Sequence, residues 1–295
     1  MTRRIFACLM IVAAWCGASS AAETVSSPMT FTYYDGQAEL GLVKRFHWQV
    51  LKTALERTRG AYGDFRMVPL PPAPISRQRY ELSQPNSPIT VAAFSGSPDR
   101  TAGMVPVRIP VEQGLQSYRV LLIREGDQGR FDRVSSFDDL KALRFGLLPG
   151  WTDARVMRLN GMKLVEGQNY EGLFRMLAAG RFDAFSRGCA EVMDDFNRGR
   201  ELIQGLAIEK HLLLHYPLPI YFWFSDDAEG RRRAGRVQAG LTAMVEDGSL
   251  ASMVQKRYRA DLAELKLSGR RVLELSNPLL DGQDQLDDGR LWFHP

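Results

Sequence analysis

Between residues 169 and 188 the chain changes from one hydrophobic period to another. Tyr170, Leu173, Phe174 and Leu177 recur at i, i+3, i+4 and i+7, the apolar stripe of a helix, with Asn169 placed to cap its start and Gly180 to end it in a left-handed turn. Arg181 leads into Phe182, Asp183, Ala184 and Phe185, short and aromatic like a buried strand. Ser186, Arg187 and Gly188 then fall at a strand's C-terminal end, where open α/β sheets bind ligands. The same code runs through the chain before this point. Residues 30–34 read as a strand, and Val43, Phe46, Val50 and Ala54 mark a helix ending at Gly60. Residues 65–70 are a second strand stopped by Pro71 and Pro72, and 89–94 a third that opens into Ser95-Gly96-Ser97-Pro98-Asp99-Arg100. Strand, helix, strand and crossover in repetition predict a mainly parallel sheet with helices on its faces.

The pattern restarts at 118–123, an apolar strand, and continues with a helix over 137–143, a strand over 144–148 and a helix opened by Gly150, Trp151 and Thr152. Apolar runs follow at 212–214 and 218–224. Two helices then carry Val237, Leu241, Met244 and Val245, and Leu250, Met253, Val254 and Tyr258, the second capped by Ser249. Residues 268–295, rich in Asp, Gly and Pro, end in Leu291, Trp292 and Phe293, aromatics that predict a segment packed back on the fold. The runs near 120 and 220 predict two crossings between lobes. One lobe would be 120–222, the other 23–119 with 223–295 and its C-terminal helices and tail. The expected fold class is therefore α/β with two lobes, each a mainly parallel sheet flanked by helices, hinged on two crossover strands.

Composition adds an address. Arg3 and Arg4 precede an apolar run over 5–18 and then Ser20, Ala21 and Ala22, the layout of a secretory signal peptide at 1–22, too short to span a bilayer. Trp15 before Cys16 argues against lipidation. With the signal removed, the 38 basic residues fall to 36 against 34 acidic, a balance that gives no argument for nucleic acid, and Cys189 is the one thiol left, so no intramolecular disulfide is expected. Arg231, Arg232, Arg233 and Arg236 read as a solvated helix face. No Gly-x-Ser-x-Gly elbow, His-Glu-x-x-His pair or Walker loop occurs, His211 and His215 alternate as in a strand, and no metal or cofactor is expected.

The words Gly180-Arg181-Phe182-Asp183-Ala184, within a chain so divided, resemble the family 3 periplasmic solute-binding proteins over residues 30–265. The resemblance implies the type II periplasmic-binding-protein fold and a monomeric periplasmic carrier. Such a carrier captures a small molecule between its lobes for an inner-membrane ABC permease or a sensor. It implies that Ser95 and Arg100 match the hydroxyl-rich loop whose arginine clasps a ligand carboxylate, that Thr152 with Trp151 beside it matches the anion-binding turn of the second lobe, and that Tyr34 matches an aromatic platform. The chain departs from the pattern at Gly188, where amino-acid binders carry an aspartate for the ligand's ammonium, and Arg187 precedes it. A lost negative and a gained positive charge point to an anionic ligand, a carboxylate or dicarboxylate, held by Arg100 and Arg187. An ordinary amino acid would need Asp35 or Glu191 to meet its ammonium. The resemblance extends to periplasmic cyclohexadienyl dehydratases, an enzymatic alternative for which Glu112, Glu166 and Glu191 are the candidate acids. Binding without catalysis is the reading preferred here.

Overall fold

The computed structural model describes residues 27–35, 41–280, 282, 284, 286 and 288–295. The signal peptide expected at 1–22 and the side chain of Val43 lie outside the described residues.

The first lobe is built on strand Tyr221–Ser225, which pairs antiparallel with Ala92–Phe94 on one side and Met104–Val107 on the other. The parallel pair Met29–Tyr34 and Phe65–Leu70 extends it, with Thr90 N donating to Thr32 O at 2.8 Å. Helices Gly41–Arg57, Ala228–Glu246 and Ser249–Leu265 cover this lobe and bury Phe46, Leu51, Val237, Leu241, Val254 and Tyr258 against Phe31, Phe222 and Phe224. The predicted apolar stripes are thus the core-facing stripes. Gly248 caps the last helix, while Ser249 stands at its first position with its N–H on Asp247 Oδ1 at 2.9 Å.

The second lobe centres on strand Tyr118–Arg124, flanked antiparallel by Leu212–His215, Phe185–Gly188 and Leu206–Ile208. Its unbroken apolar character has a simple cause. Leu121 and Ile123 point into one core with Leu212 and Leu214, and Val120 and Leu122 point into another with Leu213, so both faces are buried. The parallel pair Arg144–Leu147 and Lys163–Glu166 joins through a parallel bridge from Phe145 to Ala184. Pairing is thus mixed in both lobes. The parallel pairs Met29–Tyr34 with Phe65–Leu70 and Arg144–Leu147 with Lys163–Glu166 arise where strand, helix and strand repeat; antiparallel pairs arise at the strands that follow each crossing.

Helix Tyr170–Ala178 forms as its sequence predicts. Asn169 Oδ1 accepts from Gly172 N at 2.8 Å, and Gly180 turns the chain at φ 68° with Arg181 N on Met176 O at 2.9 Å. Asp183 is structural: it takes Arg144 N at 2.8 Å and Arg130 Nη1 at 2.7 Å. Burial alone would raise its pKa; these donors outweigh it and hold the carboxyl down at about 2.

Three expectations are corrected. Strands Tyr118–Arg124 and Tyr221–Ser225 each lie within a single sheet, so the crossings are the irregular segments just before them, 108–117 and 216–220. A run that is apolar on both faces marks a strand inside a lobe; Pro110, Gly114, Pro217 and Pro219 mark the crossings. The two crossings are tied by Val111 N to Ile220 O at 3.0 Å, Tyr216 N to Ser117 O at 3.1 Å and Leu218 N to Ser117 Oγ at 2.9 Å. Residues 223–295 do not all join the first lobe. Strand Arg271–Glu274 adds in parallel to Leu212–His215, and Leu275 and Leu279 enter the second lobe's core. The segment then crosses back, with Asn277 Nδ2 on Pro217 O at 2.6 Å, Leu291 and Trp292 in the first lobe's core, and Phe293 N on Gln113 O at 2.6 Å. Finally, Arg236 is not on a solvated face: it is fully buried, with Nη2 on Gly63 O at 2.7 Å and Nε on Thr58 Oγ1 at 3.2 Å, joining helix Ala228–Glu246 to the turn before the second strand.

Candidate functional site

Between the lobes lies a cavity of about 110 Å³. His47, Ile75, Phe94 and Ser95 line it from the first lobe, Gln116, Leu218 and Ile220 from the crossings, and Arg119, Trp151, Thr152, Asp153, Arg187 and Glu191 from the second lobe. An outer chamber of about 340 Å³ shares Ile75, Gly150 and Trp151 with it and is walled by Pro72, Pro74, Leu148 and Pro149, with Gln168 and Asn169 at its edge. Charged groups gather in the inner space; the outer chamber is lined by apolar and uncharged polar residues.

Of the six residues the sequence singles out, the structure brings Ser95, Trp151, Thr152 and Arg187 together in the inner cavity. Thr152 begins helix Thr152–Leu159, and its Oγ1 donates to Ser95 O at 2.9 Å, a bond from lobe to lobe. Trp151 is both wall and packing group: its ring stacks on Phe185 with centroids 6.2 Å apart, and the Arg187 guanidinium lies 4.7 Å from its centre. Tyr34 and Arg100 fall outside the cavity. The Tyr34 hydroxyl donates to Glu81 Oε2 at 2.6 Å and its ring packs with Leu82, Ile89 and Phe94, because the strand end turns it toward helix Ile75–Leu82. Arg100 closes a short turn at the cleft's lip, where its Nη1 reaches Gly150 O at 3.4 Å.

Sequence reasoning missed the floor of the site. Arg119 is 2% exposed and donates to Asp153 Oδ2 at 2.8 Å, Gln116 Oε1 at 3.1 Å and Ser186 O at 3.3 Å. Tyr216 donates its hydroxyl to the other oxygen of Asp153. Burial works against the Arg119 charge, yet Asp153, Tyr216 and Glu191 raise its pKa overall. Arg187 lies between two carboxylates: Nε donates to Asp195, and Nη2 is 3.0 Å from Glu191 Oε2. Burial opposes its charge as well, and Asp195 and Glu191 outweigh it and raise the pKa. The two acids diverge. Burial would raise Glu191, but Arg187, Arg119 and the Gly188 N–H at 3.1 Å hold it below the usual value. Asp195, with Tyr170 as its other donor, is pushed up by burial to about 6 against the pull of Arg187. A further buried pair, His47 Nε2 with Glu112, joins the first lobe's helix to a crossing.

The Gly188 departure now has a cause. A Cβ there would lie 1.8 Å from Gln116 Oε1 and 3.0 Å from Arg119 Nη1, so an aspartate would have to push the Gln116 amide off Arg119. Glu191, bonded back to Gly188 N, supplies a carboxylate to the same corner. Asp35, the other candidate, is exposed at the end of the first strand. One signal could have shown the floor: Arg119 is a charge at the start of an otherwise apolar strand. Among the described residues no group of three His, Cys, Asp or Glu is placed to hold a metal ion, and no helix is long and apolar enough to cross a membrane.

No family model and no curated protein sequence matches the chain. Solved structures do. An ancestral arginine-binding protein bound to glutamine matches with a TM-score of 0.58 and 16% identity over 79% of this chain and 99% of its own. The arginine-specific periplasmic binding protein of Salmonella typhimurium matches at 0.56 and 15% over 78% and 99%. An ancestral amino acid-binding protein described as a precursor of cyclohexadienyl dehydratase matches at 0.53 and 14% over 78% and 95%. The chain has the two-lobed type II periplasmic-binding-protein fold.

Proposed function

We propose that this protein is a periplasmic solute-binding protein that closes on a small, carboxylate-bearing, amino-acid-like molecule for an ABC permease or a sensor, acting as a monomer. The observation that carries the reading is the inner cavity, walled by both lobes and by both crossings, with Arg119, Arg187 and Glu191 buried on one side and Phe94 and Trp151 forming apolar walls. A ligand that touches both lobes favours their closed arrangement, and the crossings are the natural hinge. The ancestral arginine-binding protein of this fold binds such molecules, arginine and glutamine.

The charge argument shifts with the geometry. Arg187 is already matched by Asp195 and Glu191, and Arg119 by Asp153, so the cavity floor sets three carboxyl groups against two guanidiniums and has no positive charge to spare. Such a floor suits a zwitterionic head group better than a bare dianion, with Glu191 in the place expected of the missing aspartate. The uncharged outer chamber suits the ligand's side chain. Calorimetric titration with the common amino acids and with succinate and citrate checks this. Saturable binding of at least one amino acid is expected, with loss in Glu191→Gln. Binding of organic acids alone would restore the anionic reading, and binding of neither class would end the proposal.

The dehydratase alternative has two observations on its side, His47 at the cavity wall with the buried Glu112 behind it, and Glu191 in the cavity itself. Glu166 is exposed and paired with Arg158. Incubation with prephenate is expected to leave it unchanged; product formation would replace carrier by enzyme.

A further inference from the structure

Past its charged floor the cleft turns apolar. Ile75, Gly150 and Trp151 form the neck between the inner cavity and the outer chamber, and beyond them the wall is made by Pro72, Pro74, Leu148 and Pro149. Proline has no backbone N–H, so three of these four bring a ring and no donor. The polar side chains on the wall are those of Ser76, Gln168 and Asn169. Asn169 Oδ1 is already held by Gly172 N at 2.8 Å, and no charged side chain among the described residues lines the chamber.

Size and charge select what can enter. An apolar cavity of about 150 Å³ holds a benzene ring; the chamber, at about 340 Å³, has room for a ring and more. Proline rings pack well on the flat faces of aromatic groups, the pairing by which proline-rich peptides are bound. At the seam between the lips, Arg79 Nη2 and Arg100 Nη1 donate to Gly150 O at 3.0 Å and 3.4 Å. A cationic side chain passing the neck therefore meets two guanidinium groups and finds no carboxylate on the chamber wall. An anionic side chain reaching the chamber exchanges its hydration for apolar walls and uncharged polar groups. Neither gains by entering; an apolar ring does.

We propose that the captured molecule is an amino acid with a large, uncharged, apolar side chain, an aromatic ring before any other. Its head group lies on the floor, and its ring passes the neck at Ile75 and Trp151 into the chamber between Pro72, Pro74 and Pro149. The assignment rests on the carrier reading above and adds the side chain to it. It departs from the arginine bound by the structural neighbours, because the wall here carries nothing to neutralise a guanidinium.

The test is calorimetric titration of the mature chain with phenylalanine, tryptophan, alanine, arginine and glutamate. Phenylalanine and tryptophan are expected to bind about tenfold more tightly than alanine or better, since a buried ring gains in proportion to its apolar area. Arginine and glutamate are expected to bind at least about tenfold more weakly than phenylalanine. A Cβ at Gly150 would meet nothing within 4 Å, so Gly150→Leu fills the neck without altering the carbonyl that Arg79 and Arg100 hold. It is expected to lower the ratio of phenylalanine to alanine affinity by about tenfold. Gln168→Glu, at an exposed position, is expected to raise arginine affinity relative to phenylalanine by about threefold. If G150L does not fold, the wild-type ratios and Q168E carry the test. Alanine, arginine or glutamate bound as tightly as phenylalanine, or ratios that the variants leave unchanged, would overturn the aromatic assignment with the carrier reading intact. Binding of no amino acid at all would end the carrier reading itself.

Discussion

Two groups of arginines sit within one cleft and are treated in opposite ways. On the cavity floor, Arg119 and Arg187 are almost completely buried, and each guanidinium meets a carboxylate and at least one aromatic or backbone partner. At the lips, Arg79, Arg100 and Arg155 contact carbonyl and hydroxyl oxygens and a single exposed acid. A buried charge is stable when its partner is built into the same lobe, and the floor's carboxylate partners, Asp153, Glu191 and Asp195, all come from the second lobe. The lip contacts reach across the gap and, under the proposed function, would have to be remade at each closure. On that reading the floor serves folding and the lips serve motion.

Several measurements would break or sharpen that contrast. The largest effect is expected from Arg187→Met, which leaves Asp195 and Glu191 buried together without their cation; a loss of about 3–5 kcal/mol in urea denaturation follows, and a loss below about 1 kcal/mol would mean that the floor is not a folding element. Gly188→Ala forces Gln116 away from Arg119 and is expected to cost about 2 kcal/mol, seen as a lower Tm. The Asp195 carboxyl gives a pH signature. Its folded value near 6 lies above the ordinary 3.8, so the folded state holds the extra proton between them. Its contribution to stability is therefore greatest at low pH and declines as pH rises from about 4 to about 6, by on the order of 1–2 kcal/mol. Denaturation curves from pH 4 to 7 should show this slope in the wild type relative to Asp195→Asn; equal slopes would place the titration elsewhere. The smallest effect belongs to the lips. Thr152→Val removes the bond to Ser95 O and is expected to weaken ligand binding about fivefold, near 1 kcal/mol, with the melting temperature of the ligand-free protein unchanged. A fall in that temperature instead would show that the seam is part of the fold.

Much of the architecture was legible because the apolar periods of the chain are strong. The stripe from Tyr170 to Leu177, the cap at Asn169 and the turn at Gly180 stand where local spacing puts them. Strands 118–123 and 218–224 were visible as apolar runs, but their role was misread, since burial on both faces looks the same in sequence whether a strand crosses between lobes or stays in one. The site was half legible. Ser95, Trp151, Thr152 and Arg187 follow from strand ends and a helix start, positions that topology places at a cleft. Arg79, Arg119 and Asp195 were not, because their importance lies in partners distant in the chain: Gly150, Asp153 and Tyr170. Arg236 misled for the same reason, as a charge run reads as surface until tertiary contacts bury one member.

The segment around Trp292 adds an optical consequence. Its indole rests on Gly114, which holds φ 72° and where a Cβ would lie 2.3 Å from the ring, and two residues further Gln116 lines the cavity. Its neighbour Phe293 is bonded to Gln113 on the same short crossing. If the cleft shuts on a ligand as proposed, any bending of that crossing displaces a fluorophore already seated on it, so the emission of Trp292, isolated by replacing Trp48, Trp151 and Trp223 with Phe, becomes a built-in gauge of occupancy that needs no label.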